Sequence, residues 1–324
     1  ADVCPVGALT DTDFRFQCRV WYLGTQDSIC TRCARGCNIQ VHYNKEREWR
    51  PHKAGGARVM RLRPRYNPQV NEWWMCDVGR YSFTSVDDPS RITAPLIKNG
   101  DDWIETNWSV AIEAISGKIK EALKKKDAEN IAVWASAQLT NEDLFVLKRL
   151  LNKLHITKSS ARVTPKAKQA SDSFLIREDK NPNTKGAELL GFSTDDEASR
   201  DLFRMAFDRR LSVLVIFHHD LSQAYDYEPL VTALNNVETV IFIGSNRNAT
   251  SDLAHFVLPA SAWVEKDGTF TNYAGRVQRI HQAVEPLGDA QPEWKIMKRL
   301  GKKLDVSIPY LESKDVFDAI SHDV

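Results

Sequence analysis

The chain has 324 residues, 42% of them hydrophobic and 27% charged, with a formal net charge of +1. That length is enough for one large domain or two to three smaller ones, with a core that needs no staples to fold. The balanced charge gives no bulk attraction to nucleic acid or to an anionic membrane, and the longest apolar run, within residues 211–217, falls far short of the about 20 residues that span a bilayer. No nucleic-acid partner and no direct membrane span are therefore expected. The chain starts on Ala1 rather than Met, which reads as either a processed protein or a fragment of a longer one.

Three textures follow one another. Residues 1–22 are a short entry segment. Residues 23–83 hold several short β-like runs, among them 39–43 and 58–62, with many turn residues, and read as a small β-rich module. From residue 84 to 324 the pattern is α/β. Trp108, Ile112, Ile115, Ile119 and Leu123 share a helical face, with Thr106 or Asn107 as N-cap. Residues 131–136 read as a buried strand. Thr140 then caps a second helix, with Asp143 three residues on and Leu144, Leu147 and Leu151 on its face. Residues 211–217 and 240–243 are β-branched strands, 256–258 a third, and a helix bearing Leu230 and Leu234 lies between the first two. Strands alternating with helices predict a parallel sheet covered on both faces. The polar stretch 158–199 reads as a long surface loop.

All six cysteines, Cys4, Cys18, Cys30, Cys33, Cys37 and Cys76, lie in the first quarter of the chain. A secreted disulfide scaffold spreads its cysteines through a smaller protein, so this crowding reads as metal ligation. Cys30-x2-Cys33-x3-Cys37 lets one loop wrap one face of a [4Fe–4S] cube, with Gly36 allowing the tight turn. Cys76, the sole later cysteine, is the candidate for the far corner. Arg58, Arg61, Arg63, Arg65 and Arg80 lie between or beside these ligands and can offset the charge of four thiolates, or form a solvated face. A structural zinc on the same four thiols is the competing reading, although such sites usually pair two C-x2-C units. Cys4-Pro5 has the form of the end of a ferredoxin-type ligand run, but no upstream cysteines accompany it, so Cys4 is either a lone thiol or a ligand of a second cluster whose other ligands are missing. Cys18 has no partner at ligand spacing and reads as structural.

These blocks together resemble a known family. Cys4-Pro5-Val6-Gly7-Ala8-Leu9, Asp13-Phe14-Arg15-Phe16, the thiol triplet, and Arg63-Pro64-Arg65 through Trp74-Met75-Cys76-Asp77 and Gly79-Arg80 are similar to the large iron–sulfur subunit of the peripheral arm of respiratory complex I, the NADH:quinone oxidoreductase. Asn181-Pro182-Asn183-Thr184-Lys185-Gly186, Val257-Leu258-Pro259-Ala260, the run from Glu265 to Asn272, and Gly275-Arg276-Val277-Gln278 resemble that subunit's molybdopterin-oxidoreductase-type domain. The interval between Cys37 and Cys76 is longer than the family's usual. The resemblance implies three parts. Residues 1–22 would end a ferredoxin-like cluster segment, with Cys4 the last ligand of a second cluster shared with a missing upstream segment. Residues 23–83 would be a [4Fe–4S] module, and residues 84–324 a Rossmann-like parallel-sheet domain of molybdopterin-oxidoreductase type, reduced in size and degenerate. It further implies an electron-transfer and scaffold subunit with no complete active site. Its partners would be the flavin- and NADH-binding subunit and the quinone-side iron–sulfur subunits, at the inner face of the cytoplasmic membrane and peripheral to it. The related alternative is the iron–sulfur subunit of an NAD-linked formate dehydrogenase or hydrogenase, and the competing zinc reading of the residues would make the chain a zinc-stabilised interaction module with no redox role.

No molybdenum cofactor is expected. No cysteine follows Cys76, Val78 stands where active relatives commonly carry a Lys between cluster and pterin, and the α/β region is short for a two-pterin enclosure. The run 265–272 then has a structural role. No G-x-G-x-x-G follows a strand, so no dinucleotide site is indicated. His218, His219 and Asp220 end a strand where α/β active sites often lie, but with no nucleophile or metal partner in view they read as structural.

Overall fold

The computed structural model describes Cys4, Val6 and residues 8–45, 57–100, 102–126 and 128–323. Pro5 and Gly7 of the first motif lie outside the described residues, as do residues 46–56, which account for part of the long interval between Cys37 and Cys76.

Two sheets organise the chain, joined by a hairpin. The first is a three-stranded antiparallel sheet of β1 (Leu23–Ile29), β2 (Asn38–Asn44) and β3 (Val59–Pro64) in that order. The second comprises β4 (Leu96–Asn99), β5 (Asp102–Glu105), β6 (Ile131–Trp134), β7 (Lys158–Ser160), β8 (Val213–Phe217), β9 (Thr239–Gly244) and β10 (Phe256–Pro259). Its spatial order is β5-β4-β10-β9-β8-β6-β7. The five strands from β10 to β7 run parallel, and β4 and β5 add an antiparallel edge beside β10. The hairpin is β11 (Gly268–Thr271) with β12 (Val277–Ile280).

The central strands form because they are apolar on both faces, as a doubly covered parallel sheet demands. Alternation along β8 and β9 then sorts their side chains. Val213, Phe217, Ile241 and Ile243 join one core with the helices Trp108–Lys126, Asn141–Lys153 and Glu293–Lys303. Leu214, Ile216, Val240 and Phe242 join the other with Asp196–Phe207 and Tyr227–Asn235. Trp134, Phe217 and Phe242 are fully buried, each contributing about 1.5–3 kcal/mol of transfer free energy. The second helix starts as its sequence requires. Thr140 accepts from the Asp143 amide, and the Asp143 carboxylate accepts from the Thr140 amide at 3.2 Å. Asn107, not Thr106, caps the first helix, its Oδ1 accepting from the Val110 amide at 3.0 Å.

The expectation of a long surface loop over 158–199 is wrong. That stretch contains β7, the helix Thr184–Leu189 and the start of Asp196–Phe207. Lys158–Ser160 is polar because it is an edge strand with one neighbour, β6, so it lacks the apolar run by which buried strands are recognised.

The small sheet does not close a core of its own. Ile39, Val41, Val59 and Leu62 pack together with Cys30, Cys37 and Val86, and also with Leu175, Ala262, Val264 and Val284 from the α/β part. No helix among the described residues is long and apolar enough to cross a membrane.

Candidate functional site

The order of strands sets where a site can form. From β6 the chain moves outward to β7, then returns to β8 on the other side of β6. The carboxyl ends of β6 and β8 therefore diverge at a switch point, where α/β sheets open a crevice. A cavity of about 700 Å³ lies there, lined by Ser136 and Gln138 after β6 and by His218, His219 and Asp220 after β8. Its other walls are the loop between β1 and β2, the segment from Met75 to Val78, and residues from 162–181. Cys30, Cys33, Cys37 and Cys76 all line this one cavity.

Local structure presents the four thiols together. The Cys30 amide donates to the Cys37 carbonyl at 2.8 Å, closing the triplet loop, and Gly36 takes φ +65 within it. Cys76 caps the short helix Asp77–Arg80, its sulfur accepting from the Gly79 amide at 3.4 Å. Gly79 is the meeting point. A Cβ added there would stand 2.9 Å from the Cys30 sulfur and 3.7 Å from the Cys76 sulfur, so both sulfurs rest against the same stretch of backbone. Cys30, Cys33 and Cys37 are buried and Cys76 is half-buried.

Burial first, then the neighbouring Cys33 and Cys76, pushes the Cys30 thiol up to about 12. Burial and the other three thiols raise Cys37 further still. Thiols so crowded stay protonated unless a cation draws the protons off, which is how metal binding couples to thiol ionisation. Among the described residues, no group of three or more His, Cys, Asp or Glu side chains is arranged to hold a metal ion as it stands. What the four thiols share is the rim of a cavity. A cubane takes such a donor set, filling a space with one thiolate on each iron.

Of the arginines read from the sequence as charge offsets, Arg80 ends the helix that Cys76 caps and Arg58 lies elsewhere. None of Arg58, Arg61, Arg63, Arg65 or Arg80 lines the cavity. Arg58 is buried in a separate network, 2.6 Å from Asp87 and 2.7 Å from Glu265, which also pairs with Arg91 at 2.8 Å. The cations on the cavity wall are Arg32, Arg162, Lys166, Lys168 and Lys180. Four of these come from the stretch expected to be a surface loop, so only the fold brings them to the thiols. Glu265, in the run read as structural, is the acid that ties Arg58 to Arg91.

His218 takes φ +58, an uncommon conformation for a side-chain-bearing residue. Its Nε2 lies 2.5 Å from Glu293 Oε1. Glu293 also pairs with Lys266 at 2.5 Å, and Lys266 with Asp143 at 2.9 Å. Lys266 and His218 hold Glu293 down to about 2 against its burial. His219 is half-buried, its Nε2 2.8 Å from the Ala135 carbonyl oxygen, and desolvation of its ring lowers it to about 4. Cys4 and Cys18 are not on the thiol cavity. Cys18 is partly exposed and donates weakly to the Arg19 carbonyl at 3.4 Å.

The family model for molybdopterin oxidoreductase matches residues 91–191 and 186–303. The mitochondrial NADH-ubiquinone oxidoreductase 78 kDa subunit of Candida albicans is 24% identical over 95% of this chain and 56% of its own length. An NADH-quinone oxidoreductase subunit from Rickettsia felis is 35% identical over 47% of this chain and 20% of its own. The corresponding subunit from Mycobacterium tuberculosis is 40% identical over 34% of this chain and 13% of its own. The chain thus spans about half, or less, of the curated relatives it matches. Acetylene hydratase from Pelobacter acetylenicus shares the fold, with a TM-score of 0.66 at 11% identity over 89% of this chain and 70% of that one. By the family model, which matches more than half of its length, this chain belongs to the molybdopterin oxidoreductase family.

Proposed function

We propose that this chain is an iron–sulfur electron-transfer and scaffold subunit of an NADH:quinone oxidoreductase peripheral arm. Cys30, Cys33, Cys37 and Cys76 would hold one [4Fe–4S] cluster. The observation that carries the reading is the meeting of these four thiols, from two segments far apart in sequence, on one cavity. The assignment to that assembly draws its support from relatives named as NADH-quinone and NADH-ubiquinone oxidoreductase subunits.

When bound, the cluster supplies one-electron chemistry. The chain's residues do the rest. Three thiols on a closed loop and one on a helix cap fix the corners. Ile39, Val41, Val59 and Leu62 exclude water from the buried side, and the five cations of the cavity wall, set against Glu178, Asp179 and Asp220, would lower the cost of added negative charge. Cys76 is the least buried of the four and would be the corner nearest a partner. Cys4 would close a second cluster whose other ligands lie outside this sequence. The partners would be the flavin- and NADH-binding subunit and the quinone-side iron–sulfur subunits, with the chain peripheral to the inner face of the membrane through them.

The α/β part would bind no molybdenum, tungsten or pterin and brace its neighbours instead. Val78 lines the cavity where a Lys would face a pterin, and no Cys follows Cys76. Fold alone does not supply a site. Native purification through a tag on this chain, with mass spectrometry and elemental analysis, is the test. Flavin-bearing and quinone-side subunits without molybdenum or tungsten are expected. Molybdenum or tungsten near one per chain, released with a pterin, would overturn the scaffold reading in favour of a formate-dehydrogenase-type subunit.

A further inference from the structure

Three consecutive carbonyls of the triplet loop are held by one distant hairpin. The Tyr273 amide donates to the Ala34 carbonyl at 2.9 Å, Asn272 Nδ2 to the Arg35 carbonyl at 3.2 Å, and Gln278 Nε2 to the Gly36 carbonyl at 3.0 Å. All three donors belong to β11–β12 or the turn between its strands. A trans peptide sends its N–H opposite to its C=O. With these carbonyls tied to the hairpin, the amides of Arg35, Gly36 and Cys37 face away from it.

Gln278 does more than its neighbours. Its Oε1 accepts from Asn38 Nδ2 at 2.7 Å. The Asn38 amide donates to Asn71 Oδ1 at 2.8 Å, and Asn71 Nδ2 donates to the Trp74 carbonyl at 3.0 Å. An unbroken chain of hydrogen bonds therefore runs from Gly36, beside the third thiol, through Gln278, Asn38 and Asn71 to Trp74, two residues before the fourth. Gln278, Asn38 and Asn71 are all buried, where each such bond is costly to leave unmade. Gly36 is matched to this contact as well as to its φ, because a Cβ there would stand 2.7 Å from Gln278 Nε2.

We propose that Gln278 is a positioning residue for the four thiols: it fixes the Cys33–Cys37 turn and sets its register against the Cys76 segment. The role toward a cluster rests on the function proposed above. Groups that hydrogen-bond behind metal ligands commonly orient them in this way.

The experiment uses the full chain with Gln278→Met, which removes both bonds, and Gln278→Glu, which keeps the acceptor for Asn38 and loses the donor to Gly36. Gln69→Ala is the control, since Gln69 reaches the same hairpin only through an exposed contact with Arg276. Two rates are read. One is maleimide alkylation of Cys33 and Cys37 in the metal-free chain, with Cys18 as internal reference. The other is iron release to a chelator after anaerobic loading. Both Gln278 variants are expected to react and release roughly tenfold faster, with Cys18 and the control unchanged. Circular dichroism matching wild type excludes global unfolding, and the isosteric Glu variant keeps the test open if the Met variant misfolds. Wild-type rates in both variants would overturn the positioning role and leave the cluster reading standing. A wild-type chain that takes up no iron and sulfide would overturn the cluster reading, and the role toward it as well.

Discussion

Gly79→Ala is the sharpest small perturbation of the thiol cavity. The added Cβ would lie 2.9 Å from the Cys30 sulfur, 3.4 Å from Met75 Cε and 3.7 Å from the Cys76 sulfur. Comfortable carbon contacts begin at about 3.5 Å, so something must move by roughly half an ångström or more. Met75 can swing aside. Cys30 cannot do so cheaply, because its amide is tied to the Cys37 carbonyl. Overpacking of this kind costs about 1–3 kcal/mol. Against it stands the helix propensity of Ala over Gly, worth up to about 1 kcal/mol. The propensity gain offsets only part of that cost, so a urea melt should show a loss of about 0–2 kcal/mol. The decisive readout is the cluster. A corner thiolate displaced by that distance should release iron to a chelator about tenfold faster or more, and Gly79→Ser should be worse. Unchanged iron content and release, with stability raised by about 1 kcal/mol, would show that Gly79 is an ordinary helix position and that the Cys30 sulfur is not held against it.

Four further outcomes follow from the same geometry. Cys76→Ala should lose the cubane signal or leave a labile three-iron form, while Cys18→Ala leaves electron paramagnetic resonance of the reduced protein unchanged. Lys266→Met should cost about 3–5 kcal/mol in urea denaturation, because Asp143 and Glu293 would face each other without their buried cation. Burial pushes Glu142 up to about 7. A raised carboxyl favours the folded state most below its unfolded value near 4.5 and loses that advantage as pH rises through 7. Glu142→Gln should therefore flatten the stability profile between those limits and gain up to about 3 kcal/mol at pH 8, while a parallel profile would refute the assignment. Glu293, depressed to about 2, works in the opposite sense. Its contribution is complete above its ordinary 4.5 and lost as pH falls toward 2, and Glu293→Gln should remove that part of the acid transition.

What the sequence makes legible is what local chemistry decides. The β-branched runs became β6, β8 and β9, and Thr140 with Asp143 formed the capping box. The three clustered cysteines and Cys76 reached one cavity. What was not legible depends on contacts between distant residues. Arg58 lies between Cys37 and Cys76 in sequence, yet folding delivers it to Glu265 in the α/β part. Lys166, Lys168 and Lys180 sit in a polar stretch with no periodicity, and nothing local marks them as the wall of a thiol cavity. Lys158–Ser160 is too short and polar to announce a strand. Gly79 and Gln278 stood inside the family-like blocks, but their reasons, a sulfur against a backbone and a carbonyl held by an amide, exist only in three dimensions.

The most direct test of the account is iron, acid-labile sulfide and zinc measured on the anaerobically purified chain. The four-thiol cavity predicts about four iron and four sulfide per chain with negligible zinc, and loss of both on Cys30→Ala. Stoichiometric zinc with no labile sulfide would contradict it, and would make the same four thiols a structural zinc site.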